Sequence, residues 1–358
     1  MAEKKAIGLI YGHKFPYIDH IAPLCDWLKI PLIVSDEDCY DLIQKYYPSV
    51  VTHHIDSLEL PFRVTQEADI VFCAVPTPLF ERVFCVTETM MKKKLLSVWT
   101  PHGQSDKGLK HVYYEALEGE KMILVYGQKM AKRLIDKGVC NTKKSVIEIG
   151  NFRYNYAQRF KPFYDKIVQK EILSHLDPEK KTILYAPSWE DSEGSCSLFN
   201  MGKAIIETLK GRYNLIIKPH PNTLAYNMVE AELYLETLQE SDNVLIIDRF
   251  PPIYPLLEVT DIYIGDMSSI GYDFLTFDRP MIFLNHQGWT DIPLFKGGIA
   301  LTKETLDLLP QVILDPQKEL SPIRKALYAD TFASIEPNGV RDQIFREAKT
   351  IIDTTFLP

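Results

Sequence analysis

The stretch TDIYIGDMSSIGYDF, residues 260–274, decides how the chain is read. DIYIG (261–265) is a short apolar run with little polar alternation, the pattern of a strand covered on both faces by helices. Asp266-Met267-Ser268-Ser269 follow at once and lead into IGYDFLTF. Asp and Ser cap helix N-termini, where free backbone N–H groups form an anion site. Two serine hydroxyls add donors suited to a diphosphate. Taken alone, such a loop is more commonly a plain cap without a ligand.

The same unit recurs in both directions from this stretch. Before it stand TILYAP (182–187), NLIIKP (214–219) and NVLII (243–247), and after it PMIFL (280–284). An earlier series runs AIGLIYG (6–12), PLIVS (31–35), SVVTHH (49–54), DIVFCAV (69–75), LLSVWT (95–100), MILVYG (122–127) and VIEIG (146–150). Helical spacing marks Lys203–Lys210, Met228–Glu240, Lys303–Leu309 and Gly339–Thr354. Two complete alternating series imply an α/β chain of two Rossmann-like domains facing a central cleft. The expected division is an N-terminal domain over 1–155, a linking helix over 156–180, a C-terminal domain over 181–335, and a final helix over 336–358 packed back on the N-terminal domain.

Open α/β sheets bind ligands beyond the carboxyl ends of their strands. The residues after each strand are therefore the informative ones. LLSVWT is followed by Pro101-His102-Gly103, a tight turn in which Gly103 permits a sharp bend or a close approach. An imidazole there can take a proton from a hydroxyl, or it can merely bond its own loop. NLIIKP is followed by His220-Pro221, where the imidazole can bond a diphosphate oxygen; Lys218 reads as an ordinary solvated charge. TILYAP is followed by Ser188-Trp189-Glu190-Asp191, whose acidic pair suits a hydroxyl or base better than a phosphate. Each loop is a weak signal, but four on successive strand ends make a strong one.

These residues resemble the CDP-glycerol:poly(glycerophosphate) glycerophosphotransferase family, which has the two-domain GT-B fold. The resemblance rests on PHG (101–103), GNFRYN (150–155), YAPSWED (185–191), KPHP (218–221), 260–274, RPMIFL (279–284) and EPNGVRDQI (336–344). It implies transfer of glycerol phosphate from CDP-glycerol to a growing polymer or lipid-linked acceptor, with release of CMP. His102 would be the general base. His220, Ser268, Ser269 and Asp266 would hold the donor diphosphate, and Arg153, with Gly103, would meet a donor or acceptor phosphate. The chain departs from the family at Glu190-Asp191, where an arginine is common, at GDMSS in place of TDYSS, and at Pro101. Its length suits a primase-like single addition better than processive polymerisation. Two other readings keep a nucleotide site: a UDP-sugar transferase or non-hydrolysing UDP-N-acetylglucosamine 2-epimerase, for which Glu190-Asp191 could supply the carboxylates, and a non-catalytic nucleotide-binding module.

The totals bound these readings. The chain has 358 residues, 46% hydrophobic and 25% charged, which is ordinary for globular domains. A net charge of -8 argues against a nucleic-acid partner. Six scattered cysteines without a CxxC pair suit a reducing compartment. No apolar run reaches the length of a spanning helix and none looks like a signal peptide, so a cytoplasmic protein is expected. Met90-Met91-Lys92-Lys93-Lys94 allow peripheral contact with an anionic membrane face, or simply cap the strand that follows. No metal or cofactor is expected. Asp36-Glu37-Asp38 reads as a helix cap more than a metal motif, and no G-x-G-x-x-G follows the first strand.

Overall fold

The computed structural model describes residues 4–108, 114–140, 144–191, 193–226, 228–239 and 244–356. The chain forms two compact units. The first comprises Met1–His102, Val112–Tyr156 and Asp330–Pro358, and the second Gly103–His111 and Ala157–Ala329.

The first unit is built on seven parallel strands: β1 (Ala6–Ile10), β2 (Leu32–Val34), β3 (Thr52–His54), β4 (Ile70–Cys73), β5 (Leu96–Trp99), β6 (Met122–Val125) and β7 (Ser145–Glu148). Their order is β3-β2-β1-β4-β5-β6-β7. The second unit has six parallel strands: β8 (Thr182–Ala186), β9 (Asn214–Ile217), β10 (Val244–Ile246), β11 (Ile262–Gly265), β12 (Met281–Leu284) and β13 (Ile299–Leu301), in the order β10-β9-β8-β11-β12-β13. Both are Rossmann-like sheets, each with a point where the strand order reverses, between β1 and β4 and between β8 and β11. Every residue of β4, β5, β6, β8, β9, β11 and β12 is buried, which is why these runs lack polar alternation.

The units divide elsewhere than the apolar pattern suggested. In place of one linking helix, the chain makes two, Phe152–Arg159 and Lys161–Glu171. Pro162 sits in the first turn of the second, where its missing N–H costs nothing. That helix belongs to the second unit: Tyr164 and Val168 are buried, and Lys161 Nζ lies 2.9 Å from Glu258. Gly103–His111, expected in the N-terminal domain, also groups with the second unit. The last helix, Pro337–Thr355, packs on the first unit through Ile344, Ala348 and Ile352. The helix expected over Lys303–Leu309 is a short 3₁₀ turn, Leu306–Leu308, before the helix Leu309–Val312. The ends Asn243 and Glu240 of two expected elements lie outside the described residues. Asp36 caps the helix Glu37–Tyr46, its Oδ1 accepting from Cys39 N at 2.9 Å.

Gly8 lets the helix Phe15–Leu28 lie close on β1. A Cβ there would stand 2.1 Å from Cys25 Sγ and 3.2 Å from Ile21 Cγ2. Gly8→Ala is expected to lower stability by about 1–3 kcal/mol through overpacking. Adding Cys25→Ala should recover most of the loss in thermal unfolding, because it removes the nearer atom.

Candidate functional site

In the second unit the site is built on the carboxyl ends of adjacent strands. β9, β8 and β11 are neighbours, so the loops after them emerge at one edge of the sheet. His220 follows β9, Ser188-Trp189 follow β8, and Asp266 to Ser269 follow β11. This edge includes the reversal between β8 and β11.

Asp266 ties that edge together. Its side chain is fully buried, and Oδ2 accepts from Ser188 N at 2.7 Å and from Ser197 N at 3.0 Å. Burial pushes its carboxyl up to about 6, against the pull of these bonds. Asp266 thus braces the loop after β8 through these two bonds.

Ser268 and Ser269 open the helix Ser269–Phe274. The Ser268 hydroxyl makes no capping bond; it lies 3.2 Å from Tyr263 Oη. The first-turn N–H groups therefore do not receive the cap that the sequence allows. His220 is half-buried, and its ring stacks on Trp189 with centroids 6.2 Å apart. Asn222 N donates to His220 Nδ1 at 3.1 Å. The neutral ring consequently carries its proton on Nε2, as a donor. Lys218 is no solvated charge: its Nζ donates to Phe250 O at 3.0 Å.

Gly103 has a φ of +127°, and a Cβ on it would lie 2.6 Å from Ser269 Cβ. Glycine is needed here for the backbone angle and for this approach, so Gly103 packs on Ser269. The residues after it are sewn to the same unit. Asp106 Oδ2 accepts from Tyr272 Oη at 2.7 Å and from Leu294 N at 3.2 Å. Lys107 Nζ lies 2.6 Å from Asp191 Oδ2 and donates to Ser188 Oγ at 2.5 Å. Gly108 N donates to Glu193 Oε1 at 2.7 Å. Asp191 is partly desolvated, which favours its neutral form, yet the Lys107 charge and the Ser195 bonds hold its carboxyl below the usual range. Sequence reading missed this set, because nothing in the spacing of 106–108 and 188–195 shows that they meet.

In the first unit His102 ends the turn after β5. Its ring lies 5.1 Å from that of Tyr17 and 6.1 Å from that of Trp99. Burial pushes the imidazole down to about 4, so it is neutral at ordinary pH and able to accept a proton. Arg153 is placed differently from what a phosphate contact needs. It is 4% exposed and paired with Asp19, which accepts from its Nε at 3.1 Å and also from Nη2. A buried guanidinium needs such a counter-ion.

An α/β chain of two Rossmann-like units has known counterparts. Residues 125–288, just under half of the chain, match the family described as CDP-Glycerol:Poly(glycerophosphate) glycerophosphotransferase. The stretch includes His220, Ser268 and Ser269 but not His102. A teichoic acid glycerol-phosphate primase of Bacillus spizizenii is 29% identical over 158 residues, covering 42% of this chain and 38% of that protein. The chain thus matches well under half the length of this curated relative. The fold is shared by the wall teichoic acid polymerase TagF, solved after a CDPG soak, at a TM-score of 0.63 and 15% identity over 97% of this chain and 89% of that one. It is also shared by MnaA of S. aureus with UDP, at a TM-score of 0.62 and 13% identity over 98% and 97% of the two chains.

Asp19→Ala should remove this counter-ion from the buried Arg153 guanidinium, lowering stability by about 3–5 kcal/mol. Pairing it with Arg153→Met should recover much of the loss in chemical denaturation. A double variant as unstable as Asp19→Ala alone would show that the guanidinium is not what makes the single change costly.

Proposed function

We propose that the protein transfers glycerol phosphate from CDP-glycerol, or a closely related CDP-linked donor, to a glycerol-phosphate or glycan acceptor in cell-envelope polymer synthesis. The observation that carries this reading is that His220 follows β9 and Ser268-Ser269 follow β11, the two strands that flank β8, inside the segment matched to the glycerophosphotransferase family. The primase and polymerase names of the relatives support it.

In this reading His220 Nε2–H and the first-turn N–H groups beyond Ser268 hold the diphosphate. His102 takes the proton of an acceptor hydroxyl as its oxygen attacks the phosphorus bearing glycerol. The bond from that phosphorus to the bridging oxygen breaks, and CMP leaves with the electron pair. Negative charge on the bound donor raises the His102 pKa toward neutrality, which suits a base. Gly103, the covalent neighbour of His102, packs on Ser269. Charge on the leaving phosphate is met by N–H groups, without a metal.

Asp191 argues against the epimerase alternative. Its carboxylate is bound by Lys107 and Ser195, which removes it from a sugar-directed carboxylate pair. We also propose peripheral contact with the inner membrane face of the cell, where lipid-linked acceptors lie. Leu79, Val86 and Met90 are exposed along one side of the helix Thr77–Met91, which leads into Lys92-Lys93-Lys94. No described helix is long and apolar enough to cross a membrane.

Titration calorimetry in chelator should show CDP-glycerol and CMP binding, weakened by His220→Ala, and UMP binding far less. Preference for the uridine nucleotide would overturn the donor. His102→Ala should cut turnover at least a hundredfold, with donor affinity kept within a few fold. Because the free imidazole protonates only near pH 4, kcat/KM should hold through pH 6.5 and fall as the pH drops through about 4. An acidic limb at 6.5 would separate His102 from the base role.

A further inference from the structure

The His102 turn has a tether behind it that the chemistry above does not use. Pro101 has no N–H, so its carbonyl is the backbone group through which the turn can be held from that side. Tyr126, directly after β6 and 1% exposed, donates through its hydroxyl to Pro101 O at 3.4 Å, and the same hydroxyl lies 2.7 Å from His20 Nδ1. His20 is itself buried, on the helix Phe15–Leu28. One turn earlier on that helix, Tyr17 lies against the His102 ring.

Tyr126 is firmly seated. Its carbonyl accepts from Ala333 N at 3.0 Å and Gly150 N at 3.1 Å, and its ring packs on Phe152 and Phe332. Of these hydroxyl contacts the one to His20 is the shorter, so His20 orients the phenol, and the phenol meets the residue before His102. Burial, then the nearby Arg153 charge, and then His102 hold the His20 imidazole well below its ordinary value. It therefore stays neutral and adds no charge beside the turn.

We propose that His20 and Tyr126 are positioning residues for His102, acting as one hydrogen-bonded chain through the Pro101 carbonyl. This rests on His102 being the base, but its geometric part can be read without any substrate. The protein has nine histidines, and ring ¹⁵N and ¹³C signals of histidine-labelled protein can be followed, with His102 identified by the signal lost in His102→Gln. Tyr126→Phe keeps the ring packing and removes the hydroxyl. It should move the His102 signals and leave those of His220 in place.

With CDP-glycerol and a glycerol-phosphate oligomer, Tyr126→Phe should lower kcat roughly tenfold to a hundredfold, with donor KM within twofold. His20→Asn places an amide where Nδ1 stood and should retain most of the turnover; His20→Leu should not. In a double variant the two losses should not multiply, since both break one chain. Unmoved His102 signals in folded Tyr126→Phe, or multiplying losses, would overturn the tether. If Tyr126→Phe does not fold, the two His20 variants decide: identical His102 signals in both overturn it, and displaced signals in His20→Leu alone sustain it. Turnover that survives His102→Gln overturns the base assignment and not the tether, which the ring signals judge.

Discussion

The second unit depends on one buried carboxylate. In a doubly wound sheet the strands on either side of the order reversal send their connections to opposite faces, so a crevice opens at their carboxyl ends. Asp266 spans that opening from β11 and takes two N–H groups from the loop after β8. With Ser188 and Ser197 held in this way, Trp189 is placed to stack on His220, and Ser188 Oγ is placed to receive Lys107. The serine pair follows Asp266 by two and three residues, so the same brace also sets where the helix Ser269–Phe274 begins.

Two histidines on strand ends have been given different chemistry by their surroundings. His220 receives a backbone N–H on Nδ1, which leaves its proton on Nε2 and makes the ring a donor. His102 sits among aromatic rings and is kept neutral by burial. A donor suits a phosphate oxygen and a neutral acceptor suits a hydroxyl proton. Residue type could not separate these roles, because imidazole is the same group in both places.

Charge shows the same dependence on context. From sequence, Arg153 is expected at a phosphate and the Glu190-Asp191 pair at a hydroxyl or base. In the folded protein Arg153 pairs with Asp19 and Lys107 with Asp191. Desolvation is the reason: a buried or half-buried ion must find its counter-ion inside the protein. The Lys107–Asp191 pair also gives a physical account of Glu190-Asp191 standing where an arginine is common. Here Asp191 serves as the anchor for the segment that follows Gly103.

The α/β class, the two parallel sheets and the strand ends that carry His102, His220 and Ser268-Ser269 are legible in the order of residues. Strand burial and turn chemistry are local in the chain, and short apolar runs followed by Pro, Gly, Asp or Ser announce both. That Gly103–His111 and the helix Lys161–Glu171 belong with the second unit emerges from the folded chain. It alone showed that Asp266 is a brace, that Arg153 is spoken for, and that His20 and Tyr126 stand behind the His102 turn. Those facts rest on pairs distant in sequence, such as Asp266 with Ser188, 78 residues away, and His20 with Tyr126, 106 residues away. No periodicity encodes which polar groups meet when burial strips them of water; packing alone settles it.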